Sequence, residues 1–191
     1  MESYKETALP IVDGRMIIRC TAKLLKEIGM PRKIPVVENN LSILDDWHAN
    51  MFYLDRKNNV IFCNDKTLYS VVAFQVNRGQ IKNLGGLLRH ELGKTLIEDG
   101  LEGKLIQKLV EEIKDVSFVQ TNNRSIVGIM VDHVKGIRCD DMDYGEWDWT
   151  EEQFKKTVKW LNRTPMMSPK YVYAIELLGQ LLEVKIDKQM I

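Results

Sequence analysis

The chain has 191 residues, 45% of them hydrophobic, with 27 Lys and Arg set against 27 Asp and Glu. That is enough for one full core plus a small appendage, and the balanced charge excludes a global field that would draw nucleic acid or acidic membranes. No apolar run approaches the roughly 18 residues of a membrane span, no signal-peptide pattern opens the chain, and Cys20, Cys63 and Cys139 form no C-x-x-C pair, which predicts a cytoplasmic protein with reduced thiols.

Residues 1–15, with a Pro and an Asp-Gly turn signal, read as an irregular N-terminal arm. "MIIRC" from Met16 predicts a short buried strand. "TAKLLKEIG" then predicts a helix with Thr21 as N-cap, Leu24, Leu25 and Ile28 on one face and Gly29 at its end. From Trp47 the pattern turns to β. "WHANMFYL" and "NVIFC" flank "DRKNN", whose Asn58-Asn59 pair suits a tight hairpin because Asn tolerates positive φ. After the turn-like "NDKT", "LYSVVAFQV" completes a three-stranded antiparallel meander.

Helical spacing returns at Ile81, Leu84, Leu88 and Leu92 and breaks at Asp99-Gly100; Leu101, Leu105, Leu109 and Ile113 mark the next helix. "VSFVQ" predicts another strand, and Ile126, Ile129, Met130, His133, Val134 and Ile137 trace a long amphipathic helix. Residues 140–152 carry seven acidic side chains and no basic one, so 140–149 reads as an acidic linker. Thr150 and Gln153 form a capping-box pattern ahead of Phe154, Val158 and Leu161, and Ser168-Pro169 opens a last helix through Val172, Ile175, Leu178 and Leu182. The expected architecture is an α+β domain over residues 16–139, an antiparallel meander sheet covered by amphipathic helices, followed by a C-terminal helical hairpin appendage over 150–191.

Two regions could carry chemistry. A hairpin closed at Asn58-Asn59 would set Leu54 by Cys63, Phe52 by Asp65, Asn50 by Thr67 and His48 by Tyr69. His48, Asn50, Asp65 and Thr67 would then gather on one face, able to bind a polar ligand or, with His48 as the catalytic candidate, to move protons. The alternative is a strand-end histidine satisfied by backbone. In the same register Cys63 lies about 20 Å from His48, which argues against a Cys-His pair. The second region is "TNNRS", where Asn122, Asn123, Arg124 and Ser125 at a helix start could form an anion pocket; the plainer reading is an N-cap beside a solvent-facing Arg. No nucleotide-binding glycine motif supports the anion site.

His48, His90 and His133 are isolated and no zinc spacing occurs, so neither a metal nor a cofactor is implied. Nucleic acid binding would rest on Arg15, Arg19, Lys23, Lys26, Arg56 and Lys57 converging, and the acidic stretch opposes it. The aromatics of residues 146–191 could serve a protein partner or self-association, or pack on the domain.

"MIIRCTAKLLKEIG", "WHANMFYLDRKNNVIFCNDKTLYSV", "NLGGLLRHEL" and "TNNRSIVGIM", in this order, resemble a bacterial domain family of unknown function with W-H-A-N, N-[DE]-x-T-L and T-N-x-R-S-x-x-G motifs. The resemblance covers residues 16–139 and implies a family start near Met16; it implies no activity, catalytic residue or cofactor. The expected function is a non-catalytic binding or interaction module with a polar or anionic ligand. The alternative is a metal-independent phosphodiester-processing enzyme, an RNase of toxin or defence type, needing His48, Asp65, Arg56 and Arg124 to converge.

Overall fold

The computed structural model describes residues 16–31, 42–44, 46–143, 149–167 and 171–187, and at 140–143, 167 and 171 the backbone only. The N-terminal arm read over residues 1–15 lies outside the described residues. In chain order the elements are β1 (Met16–Cys20), α1 (Ala22–Ile28), β2 (Trp47–Leu54), β3 (Lys57–Asn64), β4 (Ser70–Ala73), α2 (Arg78–Lys82), α3 (Leu84–Glu98) and α4 (Gly103–Glu111). They continue with β5 (Val116–Gln120), α5 (Arg124–Asp143), α6 (Glu151–Arg163), β6 (Met166–Met167), β7 (Tyr171–Val172) and α7 (Ala174–Leu182).

The protein is α+β, but its main sheet is mixed. The strand order is β4-β3-β2-β1-β5. Strands β2, β3 and β4 form the expected antiparallel meander, whereas β1 runs parallel to both β2 and β5. The reason is the passage through α1: a helix between two neighbouring strands carries the chain back to the end from which it started, so the strands align in parallel.

Alternation along each strand sends side chains to two cores. Met16, Ile18, Trp47, Ala49, Val60, Phe62 and Val71 pack with Leu24 and Leu25 of α1, Leu88 and Leu92 of α3, Leu109 of α4, and Ile175 and Leu178 of α7. On the opposite face Phe52, Leu54, Ile61, Cys63 and Val72 meet Ile126, Met130, Val134 and Ile137 of α5 and Val158 and Leu161 of α6. The apolar faces of the last two helices are thus spent on these cores, one on each side of the sheet. Burying a single Leu or Ile contributes about 1.5–3 kcal/mol, so both helices hold to the sheet chiefly by packing.

Local signals set the element ends. The helix expected from Ile81 is two helices, because Asn83 breaks the run and accepts at Oδ1 from the Gly86 N–H at 3.3 Å. Thr150 and Gln153 do form a capping box at the start of α6. Helix α5 runs through Asp143, into the stretch read as an acidic linker, and 144–148 lie outside the described residues. Ser168-Pro169 also lies outside them, and the last helix begins at Ala174.

Candidate functional site

The hairpin turn fixes the neighbours of His48. Asp55 and Arg56 both adopt positive φ, 42° and 59°, the pair of left-handed residues that a two-residue type I′ loop requires. Leu54 therefore faces Lys57, and His48 faces Cys63. The register built on Asn58-Asn59 is corrected by this turn: Leu54–Cys63, Phe52–Asp65, Asn50–Thr67 and His48–Tyr69 are not partners. Asn59 instead bridges inward, accepting from the Gln75 N–H at 2.8 Å and donating to the Lys57 carbonyl at 2.9 Å.

Although that register fails, His48 and Asp65 do meet. Asp65 follows directly on β3, and its Oδ1 lies 2.6 Å from His48 Nδ1. A carboxylate can only accept, so Nδ1 carries a proton and directs it at Asp65. Arg19, one strand over, holds Asp46 at 2.7 Å and stands 3.8 Å from Asp65. His48 is fully buried, and its Nε2 has no partner among the described residues. An imidazole so held has the orientation of a general base, but no solvent-facing edge from which to work.

The other expected site residues do not join it. Thr67 donates from its backbone N–H and hydroxyl to Asn64 Oδ1, at 3.0 and 2.9 Å, in the turn between β3 and β4. Asn50 accepts from the Thr21 hydroxyl at 3.0 Å, so Thr21 ties β1 to β2 rather than capping α1 with its side chain. Asn123 Oδ1 accepts from the N–H groups of Ser125 and Ile126 at 3.0 and 3.3 Å, which is a helix cap. Asn122, Arg124 and Ser125 are exposed, and Arg124 makes no ion pair among the described residues. Arg56 is exposed at the hairpin tip. The convergence of His48, Asp65, Arg56 and Arg124 that an RNase site needed is not formed.

Cys63, set aside on distance, lies across from His48 after all. Its thiol is nevertheless inert for another reason, since burial pushes it up to about 12 and it points to the Leu68 carbonyl, 3.5 Å away. His133 on α5 places Nδ1 3.0 Å from Ser70 Oγ, and burial pulls it down to about 4, so it is a neutral core histidine.

A cleft that the sequence did not announce lies between β4, α3 and α6. It is half open and has a volume of about 160 Å³, with Val72, Phe74, Phe154 and Val158 as apolar walls. Phe74 and Phe154 stack at 4.1 Å between centroids, and Trp149 stacks on Phe154 at 5.3 Å, which fixes the start of α6 over β4. Ion pairs join the two helices at its mouth: Lys155 to Glu98 at 2.9 Å and Lys94 to Glu151 at 3.7 Å. Glu91 is half-buried there, and burial pushes its carboxyl above the usual range. Lys159 also lines the cleft and has no ion-pair partner among the described residues.

A family model matches residues 17–177, and its description is a domain of unknown function (DUF6933). The chain belongs to this family. Neither a curated protein nor a solved structure matches. The resemblance read over residues 16–139 is therefore right in kind and short in extent, because the DUF6933 match runs on through α6 and into α7. That extent agrees with the packing of both helices into the cores. The cleft walls come from three separated segments of the DUF6933 domain, and no local motif links them; Phe74 and Phe154, large aromatics at the ends of a strand and a helix, are the nearest thing to a signal.

Proposed function

We propose that the DUF6933 domain is a non-catalytic binding module whose ligand site is the cleft between β4, α3 and α6. The observation that carries this reading is the cleft itself: a half-open space of about 160 Å³ walled by Val72, Phe74, Phe154 and Val158, with charged side chains at the mouth. Apolar walls with a few convergent polar groups are the usual make-up of a small-molecule site. The volume matches an engineered apolar cavity of about 150 Å³ that takes up benzene, so the ligand has an apolar body about one ring in size and a polar end. The polar or anionic character expected of the ligand finds its partners here rather than at Arg124, with Lys159 the cation at hand.

Titration with benzyl alcohol, followed by amide chemical shifts, tests the reading. Saturable shifts at Val72, Phe74, Phe154 and Val158, abolished by Val158→Phe filling the space, are expected. Shifts confined to the β2 face around His48, or none that saturate, would refute it.

The RNase reading draws on one specific observation, the His48–Asp65 contact of 2.6 Å. Against it stand the burial of Nε2 and the exposure of Arg124 on its own. RNA cleavage and growth toxicity lost in His48→Ala but present in wild type would reinstate the enzyme; equal behaviour of the two leaves the binding module.

A further inference from the structure

The polar end of the cleft is set by the free edge of β4. In an antiparallel ladder, successive residues point their N–H and C=O alternately toward the partner strand and away from it. The Asn64 N–H donates to the Tyr69 carbonyl at 2.9 Å, so Tyr69, Val71 and Ala73 face β3, whereas Ser70 and Val72 face outward, toward α6. At Ser70 the outward pair is matched by a side chain. Asn162 accepts from the Ser70 N–H at 2.7 Å and donates to the Ser70 carbonyl at 2.8 Å, so one carboxamide stands in for a neighbouring strand.

Two residues along, at roughly 3.3 Å per residue, Val72 presents the same N–H and C=O. One turn back along α6, about 6 Å, the residue that comes opposite is Val158, which has no polar side-chain atom. Val72 is 3% exposed, lines the cleft, and its outward groups have no hydrogen-bond partner among the described residues. Buried backbone donors and acceptors are almost always paired, and each one left over calls for a partner.

We infer that the Val72 edge is the polar anchor of the cleft and that it takes a primary carboxamide carried on an apolar body about one ring in size. This rests on the cleft being a binding site. The carboxamide accepts from the Val72 N–H and donates to the Val72 C=O, as Asn162 does for Ser70, while the ring lies among Phe74, Phe154 and Val158. A carboxylate can use the N–H but repels the carbonyl, and an ester offers no donor, so the edge selects for the amide.

The test compares 2-phenylacetamide with its near-isostere methyl phenylacetate on the full chain, by titration of amide shifts. The amide is expected to bind about tenfold tighter or more, because the ester leaves a buried carbonyl unmatched. Val72→Pro deletes the outward N–H without touching the β3 ladder, and proline is tolerated at such an edge. Amide and ester both accept from that N–H, so the variant should weaken both by a similar factor and leave the amide's advantage, which the carbonyl sets, in place; unchanged affinity of both would overturn the anchor. If that variant does not fold, the two ligands on wild type decide the matter alone. Equal affinity for amide and ester overturns the carboxamide assignment while leaving the binding site standing. Failure of amide, ester and benzyl alcohol alike removes the binding site itself. N-acetylphenylalanine methylamide is too large for about 160 Å³, and tighter binding of it than of phenylacetamide would assign the edge to a peptide chain instead.

Discussion

Arg163→Met should be among the most damaging single substitutions outside the apolar cores. Arg163 at the end of α6 gives Nη1 to Asp99 Oδ1 at 2.7 Å, and the two side chains are 3% and 2% exposed. The Tyr69 hydroxyl donates to the other Asp99 oxygen, and burial first, then the Asp99 charge, pushes that phenol well above its usual range. Taking away the guanidinium strands a buried carboxylate with one neutral donor, which costs about 3–5 kcal/mol. The low end applies, because Arg163 Nε is itself buried without a partner and the pair already carries unrecovered desolvation. For a domain of this size about 3 kcal/mol lowers Tm by roughly 6–12 °C. Urea melts of Arg163→Met, Asp99→Asn and the double variant form a cycle in which the double should be at least about 1 kcal/mol less damaged than the sum of the singles. A loss below about 1 kcal/mol for Arg163→Met, or strict additivity, would show that this pair does not clamp α6 to the end of α3.

Three further outcomes follow from burial and hydrogen bonding. His133, pulled down to about 4 in the fold, takes up its proton near pH 6.5 when unfolded, so stability should be full above pH 6.5 and fall by up to about 3 kcal/mol as pH drops toward 4; urea midpoints at pH 7 and 4.5 should show this slope flattened in His133→Leu, and an unchanged slope would assign it elsewhere. A thiol reagent at neutral pH should label exposed Cys139 at once and reach buried Cys20 and Cys63 only in urea; prompt labelling of two or three thiols in the native protein contradicts the burial. Asp65→Asn, which weakens the hold on His48 Nδ1 and on Arg19, should cost about 1–2 kcal/mol, whereas Arg124→Ala should stay within about 0.5 kcal/mol; equal effects on chemical denaturation would mean that the part-buried His48–Asp65 pair contributes no more than an exposed arginine.

What could be read from the sequence was local. Gly29 at the end of α1, the Thr150–Gln153 capping box and the Asn123 cap each act within one turn of helix, and each stands where the residue types put it. The hairpin register was read from Asn58-Asn59 alone, on composition. Asp55-Arg56 is the pair that takes positive φ, and the resulting register brings Phe52, Leu54, Ile61 and Cys63 onto one core face. Asp65 reached His48 regardless, since it lies one residue beyond a strand that ends beside β2. The pairing of β1 with β5 was out of reach because β5 lies about a hundred residues downstream; its parallel run beside β2 follows from the helix between them once the two strands are neighbours, and short strands carry no mark of that neighbourhood. The cleft was illegible for the same reason, being assembled from β4, α3 and α6.

The edge of β4 connects the fold to the proposed site. An open strand edge is a template for unwanted pairing, and natural sheets cover or interrupt it. Here α6 provides the cover, and it does so with a polar residue in an apolar setting: Asn162, fully buried between Leu161 and Arg163, would be costly in a helix interior if its carboxamide were not spent on Ser70. That contact makes α6 part of the sheet's completion, in keeping with a family match that runs on to residue 177. The cover stops one turn short, since Val158 replaces the carboxamide with a valine and the aromatic stack of Phe74, Phe154 and Trp149 closes the far side. A second Asn at 158 would have matched the edge as Asn162 does; the valine leaves a half-open cleft along which Val72 presents an amide unmatched among the described residues.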